Sequence, residues 1–341
     1  MANTIEIAIL GMGRIGASMG LAIKRYNAGK NTQQQFRVTG YDSESANITE
    51  ANSKGAFDIH ARTIFDAAHD KALVIVALPY AEISQTYRDF ATGVNAGTVI
   101  MDMSPLKSPS LALAAKHLPE NVYMVGATPI LNAAYLFDGV EDTAHAAADL
   151  FDNGGMLVLP NAGCPPEAVE LVSDLCTLIG APPRFADPQE HDGWAAAVEG
   201  LPMALGVAAF YALTKADGWR DAQQQAGHSF GRLIHHLYDT HPDDLRDIML
   251  NNRDNLIRHI DGITDALDAL RDTLAQGDRD TLEAVIEETT DAAHLWVIKR
   301  RENKWDKVQA PPRPDIGAHM SSLIFGGALA KRIRGDKNGS A

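Results

Sequence analysis

The chain has 341 residues, which at roughly 150 residues per domain points to about two domains. Lys plus Arg number 30 and Asp plus Glu 44, giving a formal charge of −14; DNA, RNA and anionic membranes all need a basic face, so each is a poor match. Hydrophobic residues reach 45%, enough to build a sizeable core and to exclude disorder.

The first half alternates short apolar runs with helix-length segments. Ile5 to Leu10, Phe36 to Tyr41, Leu73 to Leu78, Val99 to Met101 and Val122 to Val125 read as strands. Near-continuous apolar strands of this kind belong to a parallel sheet covered on both faces. Met156 to Leu159 adds one more. The next helix is predicted to open at Pro165-Pro166-Glu167 and to stop at Gly180. From His191 onward there is no strand pattern. Ile257, Ile260, Ile263, Leu267, Leu270 and Leu274 recur at three- and four-residue spacing, which places them on one helix face for core or dimer packing. Asp280 and Glu283 are expected to start the following helix, with Leu282, Val285, Ile286 and Trp296 turned inward. Pro311-Pro312-Arg313-Pro314 ends it, and the tail holds one apolar segment, Met320 to Leu329.

The expected fold is therefore an α/β Rossmann-type domain with a doubly wound parallel sheet over residues 1–187. An all-α domain follows over 188–310, and a C-terminal tail over 311–341. Cys164 and Cys176 are too few for a disulfide framework, which fits a reducing cytoplasm. No unbroken apolar run reaches about 18 residues, so no membrane span is expected. The N-terminus lacks the basic start and apolar stretch of a signal peptide.

Gly11-Met12-Gly13-Arg14-Ile15-Gly16 directly follows the first strand and precedes a helical pattern. That context makes it a dinucleotide-binding turn. Gly11 allows the tight turn, Gly13 the approach of a pyrophosphate, and Gly16 close packing of helix on strand. The helix N-terminus offers unpaired N–H groups to phosphates. Asp42, at the end of the second strand, is placed to accept hydrogen bonds from the adenosine ribose. It lies further along than usual, and the polar stretch Asn27 to Gln35 reads as a loop insertion that accounts for the difference. A carboxylate there repels a 2′-phosphate, so NAD is expected as cofactor, with NADP the alternative. Leu78 and Pro79, ending the third long strand, complete the expected cofactor set.

The ordered series of motifs resembles the prephenate/arogenate dehydrogenase family, within the 6-phosphogluconate-dehydrogenase-like folds. The series runs through the Gly11–Gly16 turn, Tyr41-Asp42, Ala77-Leu78-Pro79, Asp102-Met103-Ser104 with Lys107, and Gly126-Ala127-Thr128-Pro129. It continues with Leu178 to Ala181, Asp187 to Asp192, Val198-Glu199-Gly200-Leu201-Pro202, Ser229 to Arg232, and Leu245 to Ile248 with Asn252. The resemblance implies oxidation of a ring carbinol with loss of carbon dioxide, toward 4-hydroxyphenylpyruvate or tyrosine. It also implies a helical domain that forms a homodimer and caps the site. Arg232 would bind a substrate carboxylate, a task suited to a guanidinium fork.

The chain departs from the family at its chemistry. Thr128 stands where the family has a catalytic His, and a Thr hydroxyl is no general base near neutral pH. Glu199-Gly200-Leu201-Pro202-Met203 replaces a stretch with two His. Pro105 and Leu106 put one extra residue between Ser104 and Lys107. The candidate catalytic set is thus Ser104, Lys107, Thr128 and Glu199, with Glu199 or Lys107 as the proton-handling group. Alternatives stay open: a dehydrogenase or reductase for another small carboxylated substrate, or an NAD-binding regulatory pseudoenzyme. His228, His235, His236 and His241 read as surface or packing residues, with no metal site expected, and His191 reads as structural.

Overall fold

The computed structural model describes residues 3–29, 34–161 and 163–303. The tail and its Met320–Leu329 segment lie outside the described residues, as does part of the Asn27–Gln35 insertion. The chain divides into two compact units, with the break between Gln189 and Glu190.

The first unit is built on eight strands: β1 (Asn3–Leu10), β2 (Gln34–Tyr41), β3 (Ile59–His60), β4 (Leu73–Val76), β5 (Val99–Asp102), β6 (Tyr123–Ile130), β7 (Gly155–Pro160) and β8 (Pro183–Phe185). Their order across the sheet is β3-β2-β1-β4-β5-β6-β7-β8. Strands β1 to β6 pair in parallel. Among the described residues, six helices belong to this unit: α1 (Arg14–Asn27), α2 (Ser45–Ser53), α3 (Ile64–Ala68), α4 (Tyr80–Phe90), α5 (Ser108–His117) and α6 (Pro166–Leu178). The apolar strands are buried on both faces. Ile7, Ile9, Val38, Ile75 and Met101 form one cluster with Met19 and Ile23 of α1. Parallel strands need helical crossovers, and the helix-length segments between the apolar runs supply them.

Two strands, β7 and β8, differ from the expected parallel set: they run against the other six and pair parallel to each other. β7 runs antiparallel to β6, pairing Thr128 with Leu157 and Ile130 with Gly155. The chain between them forms only two short 3₁₀ turns, Ala133–Tyr135 and Thr143–His145. An antiparallel return needs no crossover helix.

The second unit is helical: α7 (Pro188–Ala195), α8 (Leu201–Thr214), α9 (Trp219–Ala222), α10 (His228–Ile234), α11 (His236–Asp239), α12 (Pro242–Asn251), α13 (Arg253–Gln276) and α14 (Arg279–Glu302). A π-helical turn, Ala196–Gly200, joins α7 to α8. Pro202 lacks an N–H and clashes with the carbonyl four residues back, and the wider turn relieves that conflict. Pro188–Thr214 is thereby one 27-residue helix, long and apolar enough to cross a membrane by length and composition. A single helix of this kind is weak evidence for a membrane span, since helices of soluble proteins meet the same criterion. Glu199 and Pro202 interrupt its apolar run.

Two expectations for α14 are also corrected. Its cap is Asp278, which accepts from the Thr281 N–H at 3.1 Å and its hydroxyl at 2.7 Å. Gly277, at φ +62, ends α13 and lets the new helix start two residues before Asp280. Val285, Ile286 and Trp296 are about half exposed rather than turned inward. Ile257, Leu267 and Leu274 of α13 are also more than half exposed. These two helices pair with each other and leave apolar surface uncovered within one chain.

Candidate active site

The glycine-rich turn links β1 to α1. Gly11 sits at φ +89, and its N–H donates to the Tyr41 carbonyl at 2.8 Å. A side chain there would meet the Ala77 carbonyl oxygen at 2.2 Å, and one on Gly16 would meet the Gly11 oxygen at 1.8 Å. Both glycines are demanded by the fold itself. Gly13 is different. It has ordinary backbone angles, φ −62 and ψ −172, and a Cβ built on it has nothing within 4 Å. The fold itself makes no demand for glycine at this position, and the space beside it, at the N-terminus of α1, is open. A dinucleotide pyrophosphate fits that cradle.

Asp42 lies at the C-terminal end of β2, beside this turn. Its Oδ2 accepts from the Met12 N–H at 2.7 Å and from Asn47 Nδ2 at 3.2 Å, and its Oδ1 from the Glu44 N–H at 2.8 Å. A carboxylate has about four acceptor sites, so capacity for a ribose hydroxyl remains. Met12 is fully buried, and Ile15 packs against the core. Leu78 is buried and Pro79 caps α4, beyond the end of β4. β4 adjoins β1, and Gly11 closely approaches Ala77 there.

Arg14 does not extend toward solvent. Its side chain is 3% exposed and forks onto Asp138, with N–O distances of 3.0 and 2.6 Å. It also donates to the Val140 carbonyl and lies 5.5 Å from the Tyr135 ring centre. These partners belong to the segment between β6 and β7, residues 131–150. Its ends meet where the Asn132 N–H donates to the Leu150 carbonyl at 2.7 Å. Tyr135 braces it by donating to Asp149 at 2.6 Å, a bond that pushes the phenol up to about 12. The segment is a compact loop whose own side chains fix it. It fastens at two more points, one on the turn and one on α1. Thr143 Oγ1 lies 3.0 Å from the Met12 carbonyl and 2.9 Å from Asn47 Oδ1, and the Ala147 N–H donates to Ser18 Oγ at 3.0 Å.

A second polar cluster closes the C-terminal end of β5. Ser104 donates to Asp102 Oδ2 at 2.5 Å and lies 2.7 Å from Ser110 Oγ. Lys107 is completely buried. Its ammonium donates to the carbonyls of Asp102 at 3.1 Å, Ala127 at 2.8 Å and Ser104. Gly126 is what admits the lysine stem, since a Cβ there would meet Lys107 Cδ at 3.1 Å. Thr128, half-buried on β6, follows Ala127 directly. Burial raises the Cys164 thiol to about 11 and Cys176 higher still, so neither is a nucleophile near neutral pH.

Within the second unit, Glu199 is exposed on the π turn. Such turns recur at functional sites because they re-aim side chains. Gly200 of the same turn has Leu256 of α13 within 3.5 Å of where its Cβ would be. Arg232, on α10, is exposed. α10 comes close to α8, where a Cβ on Gly206 would lie 2.7 Å from the Leu233 carbonyl oxygen. His191 is buried with Nδ1 3.0 Å from Asp192 Oδ1, and Asn252 donates to the Asp192 carbonyl at 2.7 Å. This network ties α7 to the start of α13. His235 and His236 have ring centres 3.7 Å apart, and burial together with the neighbouring ring lowers His236 to about 4.

Sequence reasoning missed Asn47, Asp138 and Thr143. Each partner lies on another element, and no local pattern marks them.

The comparisons with known proteins agree with this architecture. Residues 26–183 match the family model described as prephenate dehydrogenase, nucleotide-binding domain. Residues 187–288 match prephenate dehydrogenase, dimerization domain. A prephenate dehydrogenase of Bacillus subtilis is 26% identical over 287 residues, covering 83% of this chain and 73% of that protein. A cyclohexadienyl dehydrogenase of Zymomonas mobilis is 25% identical over 285 residues, covering 81% and 91%. In fold, the chain resembles an Aquifex aeolicus prephenate dehydrogenase solved with hydroxyphenyl propionate and NAD+, with a TM-score of 0.69, 18% identity, and 85% and 98% of the two chains covered. A Synechocystis arogenate dehydrogenase gives a TM-score of 0.62 at 17% identity, covering 86% and 100%. With the two family models spanning most of the sequence in order, the chain belongs to the prephenate dehydrogenase family.

Proposed function

We propose that the chain is an NAD-dependent dehydrogenase that oxidises the ring carbinol of prephenate or arogenate, with loss of the ring carboxylate as carbon dioxide. The observation that carries this reading is the open space at Gly13 in a chain of this family. NAD, when bound, supplies the hydride acceptor. The turn Gly11 to Gly16 would hold its pyrophosphate through the N-terminus of α1, and Asp42 its adenosine ribose, with Leu78 and Pro79 beside them.

The remaining work falls to side chains. The carbinol proton must leave as the ring carbonyl forms, and the electron pair of the breaking carbon–carboxylate bond then completes the aromatic ring. Glu199 is our candidate for the proton acceptor. Thr128 is suited to orient the substrate by a hydrogen bond, because its hydroxyl both donates and accepts. Lys107 is better read as a positioning residue than as a base, since three carbonyls surround its ammonium. Ser104 supports Asp102 in the same cluster. Arg232 would fork onto a substrate carboxylate. We further propose a homodimer through the second unit, because α13 and α14 leave apolar side chains half exposed.

The test is direct. Purified protein with NAD is offered prephenate or arogenate separately, and reduced nicotinamide is followed by its near-ultraviolet absorbance. Turnover of either supports the reading. No turnover of either, with NAD binding demonstrated, overturns the substrate assignment. Thr128 in the family's His position favours a second reading in that event: the same cofactor chemistry on another small carboxylated substrate.

A further inference from the structure

We propose that the loop 131–150 sets the dinucleotide preference of this chain, with Thr143 and Asn47 as specificity-determining residues acting through Asp42. The inference rests on the dinucleotide reading of the Gly11–Gly16 turn and deepens it.

Four groups close a hydrogen-bonded ring. The Met12 N–H donates to Asp42 Oδ2 at 2.7 Å, and Asn47 Nδ2 reaches the same oxygen at 3.2 Å. Thr143 Oγ1 lies 2.9 Å from Asn47 Oδ1 and 3.0 Å from the Met12 carbonyl. A hydroxyl has one proton, so Thr143 shares it between these two acceptors. Held from that side, the Asn47 amide presents its nitrogen to Asp42. Thr143 is 4% exposed, so bulk water does not compete for this bond.

The consequence for recognition follows from charge. An aligned carboxylate at the end of β2 accepts from a ribose diol and opposes a 2′-phosphate. Two cations of the same unit are engaged elsewhere. Arg14 is spent on Asp138, and Arg37 lies 3.7 Å from Glu6. Freeing the Asn47 amide removes one donor from Asp42 Oδ2 and leaves the carboxylate on two backbone donors, one at each oxygen, so it is held less firmly. NAD then loses part of a well-aimed acceptor, while the charge that opposes NADP is unchanged.

The test uses the full chain and titration calorimetry with NAD and with NADP, which requires no turnover. Thr143→Val keeps the shape of the side chain and deletes the hydroxyl; Thr143→Ser keeps the hydroxyl. In Thr143→Val the NAD Kd should rise about fivefold, the worth of one net hydrogen bond, while the NADP Kd stays within about twofold. Thr143→Ser should return the NAD Kd to within about twofold of wild type. Asn47→Ala should reproduce the narrowed preference. A Thr143→Val protein whose NAD-to-NADP preference is unchanged overturns the proposal, whether both affinities stay the same or both fall together. A wild-type protein that binds neither dinucleotide overturns the underlying reading as well, and the two failures are told apart by the wild-type titration.

Discussion

The ammonium of Lys107 donates to the carbonyl of Ala127 at 2.8 Å, one residue before Thr128. A fully buried cation thus fixes β6 beside Thr128. Lys107→Met removes the donor from three buried carbonyls at once, and each such loss costs about 1–3 kcal/mol. Thermal unfolding should shift down by an amount corresponding to roughly 3 kcal/mol. Near-wild-type stability together with complete loss of turnover would instead make Lys107 a chemical participant. Gly126→Ala presses on the same lysine stem and should also destabilise, by about 1–3 kcal/mol.

The glycines of the turn should separate fold from ligand. Gly16→Ala places a Cβ 1.8 Å from a backbone oxygen and should unfold the domain or leave it insoluble. Gly13→Ala meets nothing, so its melting temperature should stay close to wild type, within about ±0.5 kcal/mol of stability. Its NAD affinity should nonetheless fall at least about tenfold, because the methyl occupies the space a pyrophosphate needs. Equal NAD binding by wild type and Gly13→Ala would remove the argument for that cradle.

The Arg14–Asp138 pair makes stability depend on pH with a definite sign. The Arg14 fork holds the Asp138 carboxyl below its ordinary range. A depressed folded-state pKa contributes stability that is fully present above the unfolded value of about 3.9 and is lost as pH falls through the folded value. Asp138→Asn should therefore melt lower than wild type at pH 7, by on the order of 2 kcal/mol given that Asp138 is 30% exposed. The gap should close as the pH drops below about 4. Parallel melting curves down to pH 3 would show that the pair contributes little.

Leu267 and Leu274 lie one turn pair apart on α13 and are 54% and 59% exposed. Charged substitution at both should leave the single chain folded, since neither is core. It should convert a dimer to a monomer by size-exclusion chromatography with light scattering. A wild type that already runs as a monomer would leave these faces without the partner proposed for them.

Arg232→Ala should raise KM for a carboxylated substrate about tenfold or more, and Arg232→Lys should recover only part of that, because a point charge does not replace a fork. NAD affinity should not change in either variant. A KM unmoved by both substitutions would take Arg232 out of the site.

By itself, the sequence determined the architecture. Near-continuous apolar runs such as Leu73 to Val76 can be buried only between helix layers, and the spacing of Ile257 to Leu274 permits only a helix face. Gly11 and Gly16 were legible because backbone sterics leave no other residue at those points. The reversal of β7, the capping of α14 by Asp278 and the π turn beneath Glu199 were decided by the fold, since each depends on where a neighbouring element ends. So were the fixing of Arg14 by Asp138, of Asp42 by Asn47 and Thr143, and of β6 by Lys107. Arg14 and Asp138 are 124 residues apart in the chain and 2.6 Å apart in space. Local sequence carries no record of such a pair, because hydrogen bonds between distant elements are chosen by packing, and packing exists only once the chain has folded.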